Sequence, residues 1–415
     1  MSDENQFTVT LDRWAYGGDA MGRLPDGRAL FVPFSMPGET VRVRLVEEKR
    51  GFARGELVEV LEASPQRIEP RCKHYRECGG CHYQHLPYDL QLQAKAEILK
   101  DQLARIGKLE PALVEAVSQP PVGSQNTWHY RNNIQFHLDK EGRLGFRASG
   151  SDRLVPIEEC HLPEEAILEI WKRLDLEPVP GLQRVGLRAG VDDEVMLILE
   201  SDSDEGVDFE LDIPLAAVQL GPNSMHVLSD SPDLPMSVLG EEFRVSAPAF
   251  FQVNTHMAET MVTHLMDLLP LKHKSIVLDI YCGVGLFSAF IAPRVARLIG
   301  IELDPFAADD FIYNLDAHEN VEIYQAAAEE VLPELDVQPD LILVDPPRAG
   351  LDKAALDAIL SMQPDSLAYI SCDPATLSRD AKRLIAGGYR LTQITPFDLF
   401  PQTYHIESIS LFQRE

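Results

Sequence analysis

From Thr255 to the C-terminus the chain alternates helix-length segments with short, largely apolar runs, and this order constrains its fold more than any other feature. A helical stretch at Thr255–Leu269 precedes apolar runs at Ser275–Ile280, Leu298–Glu302, Leu341–Val344 and Leu367–Ser371, with helix-length segments between them and a last run at Ile409–Phe412. Short runs of this kind suit strands covered on both faces, and strands separated by helices pair in parallel. The pattern predicts an α/β domain with a doubly wound, Rossmann-like parallel sheet, whose ligands collect outside the carboxyl ends of the strands.

The chemistry-bearing residues fall at those ends. The first run enters a glycine turn, Tyr281-Cys282-Gly283-Val284-Gly285-Leu286-Phe287-Ser288, where Gly283 and Gly285 let backbone approach a ligand closely. A dinucleotide fingerprint would carry a third glycine near Ser288, and its absence weakens a nicotinamide reading. Glu302 closes the second strand, where it can accept hydrogen bonds from ribose hydroxyls, and Asp345-Pro346-Pro347-Arg348 follows the Leu341–Val344 run. The glycine pair alone is a weak signal; joined to Glu302 and Asp345 it points to an S-adenosylmethionine-dependent methyltransferase. Enzymes that methylate the amino group of adenine place an aromatic after the two prolines to stack the base. Here Arg348-Ala349-Gly350 follows, which disfavours amine transfer.

Cys372, in Ser371-Cys372-Asp373-Pro374, stands where the next strand runs out, and Glu407 follows in Pro401-Gln402-Thr403-Tyr404-His405-Ile406-Glu407. A lone cysteine is usually a small buried hydrophobe and a lone glutamate is usually solvated. Their joint placement downstream of a cofactor turn changes that reading. C5 of uracil is a poor nucleophile until a thiolate adds at C6, and the cysteine can leave only after a base removes the C5 proton. Cys372 suits the first task and Glu407 the second, with Asp345 suited to the uracil edge or to the cofactor. Cys282 reads as packing beside the turn, and His405 as a scaffold residue and not the base.

The remaining length supports two or three domains in all. Alternating runs at Phe7–Leu11, Arg28–Pro33, Val41–Val46 and Gly55–Leu61 predict a small β-barrel of about five strands. A helix is predicted from Tyr88 to Gly107, with Leu90, Leu92, Ala96, Leu99, Leu103 and Ile106 on its apolar face. Residues 117–240 read as β-rich, with one helix near Glu164–Leu174 and little chemistry. Between barrel and helix lie Cys72, Cys78 and Cys81, spaced C-x5-C-x2-C, with Cys160 apart. In a chain expected to be cytoplasmic such thiols suggest a metal site, and four of them fit either zinc or a [4Fe-4S] cluster. No stretch has the form of a signal peptide, and none is apolar for the ~18 residues of a membrane span.

A net charge of −29 looks hostile to nucleic acid, but the excess is local. Of the 37 basic and 66 acidic residues, residues 1–150 hold 20 of each, which leaves 17 against 46 beyond. A polyanion could engage the N-terminal part at Arg42-Val43-Arg44 and Lys49-Arg50-Gly51-Phe52; the plainer alternative is that these are solvated strand edges.

Ser246-Ala247-Pro248-Ala249-Phe250-Phe251-Gln252-Val253-Asn254, the Asp279–Gly285 turn, Asp345–Leu351, Ser371–Pro374, and Pro401-Gln402-Thr403 with Glu407 together resemble the RNA uracil-C5 methyltransferase family over nearly the whole chain. The resemblance implies that Gln252, Tyr281, Glu302 and Asp345 contact S-adenosylmethionine, that Cys372 is the nucleophile and that Glu407 accepts the proton. It further implies a [4Fe-4S] cluster on Cys72, Cys78, Cys81 and Cys160, and an N-terminal RNA-binding barrel of the OB-like TRAM type. The implied domains are a barrel at 1–62, a central β-rich iron-sulfur domain at 63–83 and 116–245, and a methyltransferase domain at 84–115 and 246–415. Leu286 stands where several members have Asn, and Ala327 where a polar residue often meets the adenine. The expected substrate is large-subunit (23S) ribosomal RNA, bound by a monomer without a membrane partner. The tRNA T-loop uridine is the close alternative. A non-catalytic RNA-binding iron-sulfur protein and a nicotinamide-linked iron-sulfur oxidoreductase are the alternatives of other classes.

Overall fold

The computed structural model describes residues 5–139, 141–174, 179–206 and 215–415. Strands β1 (Gln6–Trp14), β2 (Ala20–Arg23), β3 (Ala29–Val32), β4 (Thr40–Glu48) and β5 (Phe52–Glu62) close into the expected barrel, in the order β1-β2-β3-β5-β4. Strict alternation on β4 turns Val41, Val43 and Leu45 inward to meet Leu11, Leu30 and Ala53. It turns Arg42 and Arg44 outward, where they pair with Glu59 and Glu56 on β5; Lys49 pairs with Glu47. These cations are therefore matched locally, in exposed pairs worth under ~1 kcal/mol each.

After the cysteine-bearing segment come α1 (Tyr88–Arg105) and α2 (Pro111–Val117). The buried face of α1 holds Leu90, Leu99 and Leu103 as expected, but Gln91, Lys95 and Gln102 are buried with them beside Ala94 and Ile98, while Leu92, Ala96 and Ile106 are only partly buried. The central region holds β6 (Asn133–Leu138), β7 (Leu144–Arg147), β8 (Leu154–Pro156), α3 (Glu165–Trp171), β9 (Leu182–Ala189), β10 (Val195–Ser201), β11 (Ala216–Leu220) and β12 (Met225–Ser229). Its strands form one sheet in the order β12-β11-β10-β9-β6-β7-β8, and a separate hairpin follows, β13 (Asp233–Val238) with β14 (Glu241–Ser246). Buried Arg188 on β9 donates to the carbonyls of Ser246 (3.0 Å) and Ala249 (2.8 Å), which docks the central sheet on the segment leading to the C-terminal half.

That half runs α4 (Thr255–Leu268), β15 (Ile276–Ile280), α5 (Leu286–Ile291), β16 (Arg297–Glu302), α6 (Pro305–Asn314), β17 (Val321–Gln325), α7 (Ala328–Val331), β18 (Leu341–Val344), α8 (Lys353–Met362), β19 (Ser366–Ser371), α9 (Pro374–Ala386), β20 (Tyr389–Phe397) and β21 (Glu407–Arg414). The sheet order is β17-β16-β15-β18-β19-β21-β20. The four expected runs that form β15, β16, β18 and β19 are parallel, as is β17, but the last run, β21, is antiparallel to both neighbours, so the sheet is mixed at one side. Apolar runs alone missed β17 and β20. β17 is an edge strand with half-exposed or exposed residues throughout, and β20 interleaves Arg390, Thr392 and Gln393 with its apolar side chains. Helix α1 packs on α9 and β20, beside the C-terminal sheet despite its early place in the chain.

Candidate active site

The strand order reverses between β15 and β18, so a crevice opens at their carboxyl ends. A cavity of about 1520 Å³ occupies it, lined by Gln252, Tyr281, Gly283, Glu302, Asp345, Cys372 and Glu407. These seven expected residues come from six separate segments and meet at one place.

On one side, the turn after β15 is wound tightly. Tyr281 takes a left-handed φ of 64°, unusual for a residue with a side chain, and its N–H donates to the Ile301 carbonyl at 2.8 Å. Gly283 (φ 53°) has open space where a Cβ would lie, and its N–H donates to Glu302 Oε2 at 2.9 Å. The Asp304 N–H holds the other carboxylate oxygen at 2.8 Å, so Glu302 is fixed edge-on by backbone. Gly285 differs from the expectation: it is not among the cavity-lining residues. Its φ of 91°, and a Cβ that would fall 2.4 Å from Leu315 Cδ1, show that glycine is needed there for helix packing. Leu286 and Ala327 do line the cavity, and both present apolar surface to it.

Three carboxylates crowd this side. Asp279 is 1 % exposed; it accepts from Ser288 Oγ at 2.6 Å and has no partner for its second oxygen. Burial, with Asp345 and Glu302 adding, pushes it up to about 7. Asp345 is likewise pushed up to about 7, by burial and then by Glu302. Acids so raised are stabilised in their charged form by a cation in the cavity. A sulfonium or an ammonium supplies one.

On the other side, Cys372 leaves the end of β19 and enters α9, whose N-cap Asp373 accepts from the Ala375 and Thr376 N–H groups at 2.9 Å. The antiparallel return of β21 sets Ser408 opposite Ser371 and Glu407 opposite Phe397, and so delivers Glu407 to the same edge. Burial pushes the Cys372 thiol up to about 12, with the charges of Glu407 and Asp345 adding and Arg348 opposing. Glu407 is buried and its carboxyl lies well above the usual range, first through burial and then through Asp345, with Arg348 and Lys95 opposing. Burial, then Arg348, lowers His405 to about 3, so the ring is neutral and its Nδ1 can accept from Arg348 Nη2 at 3.3 Å. That agrees with a scaffold role. Cys282 is buried in the core, with its Sγ 3.0 Å from where a Cβ on Gly300 would be.

The four remaining cysteines line a second cavity of about 540 Å³. Burial raises all four thiols, Cys160 to about 11. Among the described residues, however, no three His, Cys, Asp or Glu side chains are gathered closely enough to hold a metal ion. Arg131, Arg348 and His405 line both cavities, so the two share a wall. Arg131 lies just before β6, in the region expected to be poor in chemistry; nothing in its local pattern marked it.

The profile of the tRNA (uracil-5-)-methyltransferase family matches residues 233–415, and that of the TRAM domain residues 6–58. An uncharacterised RNA methyltransferase of Thermosynechococcus vestitus is 35 % identical, with 97 % of each chain covered. One from Aquifex aeolicus is 34 % identical over 99 % of each. In structure the chain is similar to the Pyrococcus abyssi tRNA (uracil-54, C5)-methyltransferase in complex with S-adenosyl-L-homocysteine, with a TM-score of 0.72, 24 % identity, and 98 % of this chain and 100 % of that one covered. No helix among the described residues is long and apolar enough to cross a membrane.

Proposed function

The chain belongs to the S-adenosylmethionine-dependent RNA uracil-5 methyltransferase family, and on that premise we propose that it forms 5-methyluridine in 23S ribosomal RNA through a covalent bond from Cys372 to uracil C6. The observation that carries this reading is the meeting of Cys372 and Glu407 at the edge of one cavity, where the charge of Glu407 adds to what raises the thiol. S-adenosylmethionine, bound against Gln252, Tyr281, Gly283, Glu302 and Asp345, supplies an electrophilic methyl group.

The protein's own groups do the rest. Held as a thiol by burial, Cys372 gives up its proton to Asp345 as sulfur bonds to C6, which leaves Glu407 unprotonated, and the electron pair of the C5–C6 double bond moves onto C5 and the O4 enolate. C5 then takes the methyl group as the sulfonium S–CH3 bond breaks, its electron pair staying on sulfur in the departing S-adenosylhomocysteine. Glu407 removes the C5 proton; that C–H electron pair re-forms the double bond and expels the Cys372 thiolate. A carboxylate with raised proton affinity is a stronger base for this carbon acid than an exposed one. Arg348, positioned by His405, offers a cation at the mouth of the cavity to an RNA whose base has been turned out of its stack.

We assign the [4Fe-4S] cluster to Cys72, Cys78, Cys81 and Cys160. Four thiols line one cavity, a donor set that fits either zinc or the cluster, and the resemblance to the RNA uracil-C5 methyltransferase family is what favours the cluster. Its role in this reading is structural, since the methyl transfer needs no electron. The domain limits 1–62, 63–83 with 116–245, and 84–115 with 246–415 belong to the same reading, as do a monomer and a cytoplasmic site of action. The name of the matched family profile favours a second substrate, a transfer-RNA uridine. Mass-spectrometric mapping of 5-methyluridine in ribosomal and transfer RNA, from cells with and without the gene, separates the two; no lost site in either RNA overturns both.

A further inference from the structure

Lys95 lies on α1, outside the stretch matched by the methyltransferase profile, yet it is 2 % exposed and its ammonium meets Asp398, itself 1 % exposed, at 2.5 Å. The same nitrogen donates to the Phe400 carbonyl at 3.0 Å. Asp398 directly follows Phe397, the residue paired with Glu407 across β20 and β21. One helical turn earlier on the same face, Gln91 exchanges two bonds with Gln402: it accepts from the Gln402 N–H at 2.9 Å and donates to its side-chain carbonyl at 3.1 Å. Helix α1 thus grips the whole connection from β20 to β21, and the ammonium is its charged member. Packing does not explain that charge, because a buried ion pair is often no more stable than apolar residues of the same shape.

We propose that Lys95 is a positioning residue for proton removal by Glu407, holding the strand pair that presents the carboxylate and placing a fixed positive charge behind it. This rests on the reading of Glu407 as the base. The groups that face Glu407 are Asp345 from the end of β18, Arg348 from the following turn, Cys372 from the end of β19, and Lys95 from α1. Arg348 is exposed and stands where RNA enters; Lys95 is the cation that remains when substrate occupies the mouth. In a low-dielectric interior a charge of this kind acts over several ångströms. Its direction is to favour carboxylate over acid at Glu407, and Glu407 in turn helps keep Lys95 charged against the desolvation that opposes it.

The test separates two rates in single turnover with an RNA substrate: formation of the protein–RNA adduct and its decay, both read on denaturing gels across pH. Lys95→Met alone leaves the Asp398 carboxylate buried without its cation, so the decisive variant is Lys95→Met with Asp398→Asn, read beside Asp398→Asn alone, which keeps the ammonium. The expected result is adduct formation within about twofold of the parent, decay slowed roughly tenfold near neutrality, and a midpoint of decay moved to higher pH by about one unit, with Lys95→Arg restoring it. An unchanged midpoint in the double variant, or formation and decay falling by one common factor at every pH, would overturn the proposal. Glu407→Gln is run beside them. If its adduct decays at the parent rate the base assignment itself fails, an outcome distinct from failure of Lys95 alone.

Discussion

Replacing Asp279 by Asn should flatten the pH dependence of the ligand-free protein's stability. Asp279 is 1 % exposed, and burial with help from Asp345 and Glu302 raises its carboxyl from 3.8 to about 7. Between those two values the folded protein keeps a proton that the unfolded chain has released, so the folded state loses ground as pH rises. The contribution is most favourable below about 3.8 and least favourable above about 7. The full span is roughly 3 pH units at about 1.4 kcal/mol each, or ~4 kcal/mol, of which some 2 to 3 kcal/mol falls between about pH 5 and about pH 8. Asparagine keeps an acceptor for Ser288, and any cost of its unpartnered amide is the same at every pH. Urea denaturation of the ligand-free protein over that range should therefore show the parent losing about 2 to 3 kcal/mol more than Asp279→Asn. S-adenosylmethionine should narrow the parent's loss, because positive charge in the pocket favours the ionised acid. Parallel pH curves for parent and variant would refute the argument, since they would mean that Asp279 titrates alike in folded and unfolded chains.

Glu407→Gln should accumulate a covalent RNA adduct that survives denaturing gels, whereas Cys372→Ala should form none; free protein alone in both would point to another nucleophile or base. Gly285→Ala, at φ 91° and facing Leu315 Cδ1 at 2.4 Å, should cost roughly 3 kcal/mol in urea denaturation, and a loss well under 1 kcal/mol would show that the turn relaxes. Anaerobically purified protein should contain iron and sulfide in near-equal amounts and lose both in Cys78→Ser. Zinc as the sole metal would remove the cluster from the reading.

Much of the site was legible because its residues sit at positions that local pattern defines. Gly283, Glu302, Asp345 and Cys372 each terminate or follow an apolar run, and in an open α/β sheet the carboxyl end of a strand is set by where that run stops. The barrel was legible for the same reason: Val41, Val43 and Leu45 alternate with charged neighbours at the period of a strand. Glu407 was found from the chemistry it would have to perform, but its route to the site was not. Only the antiparallel pairing of β21 with β19 and β20 brings it beside Cys372.

The face of α1 shows where pattern reading stops. Gln91 and Lys95 look like surface residues, and their burial depends on Gln402, Asp398 and Phe400, some three hundred positions away. Arg42 and Arg44 read either as polyanion contacts or as solvated strand edges, and only the register of β4 against β5 shows that they are paired with Glu59 and Glu56. By itself the sequence determined the alternation of helices with the buried strands, the glycine turn and the thiol at a strand end, because those follow from interactions among neighbours in the chain. Which polar groups are buried, which charges are neutralised and which carboxylates bear on the thiol were decided by the tertiary structure, because burial and electrostatic coupling depend on distance in space and not on separation in sequence.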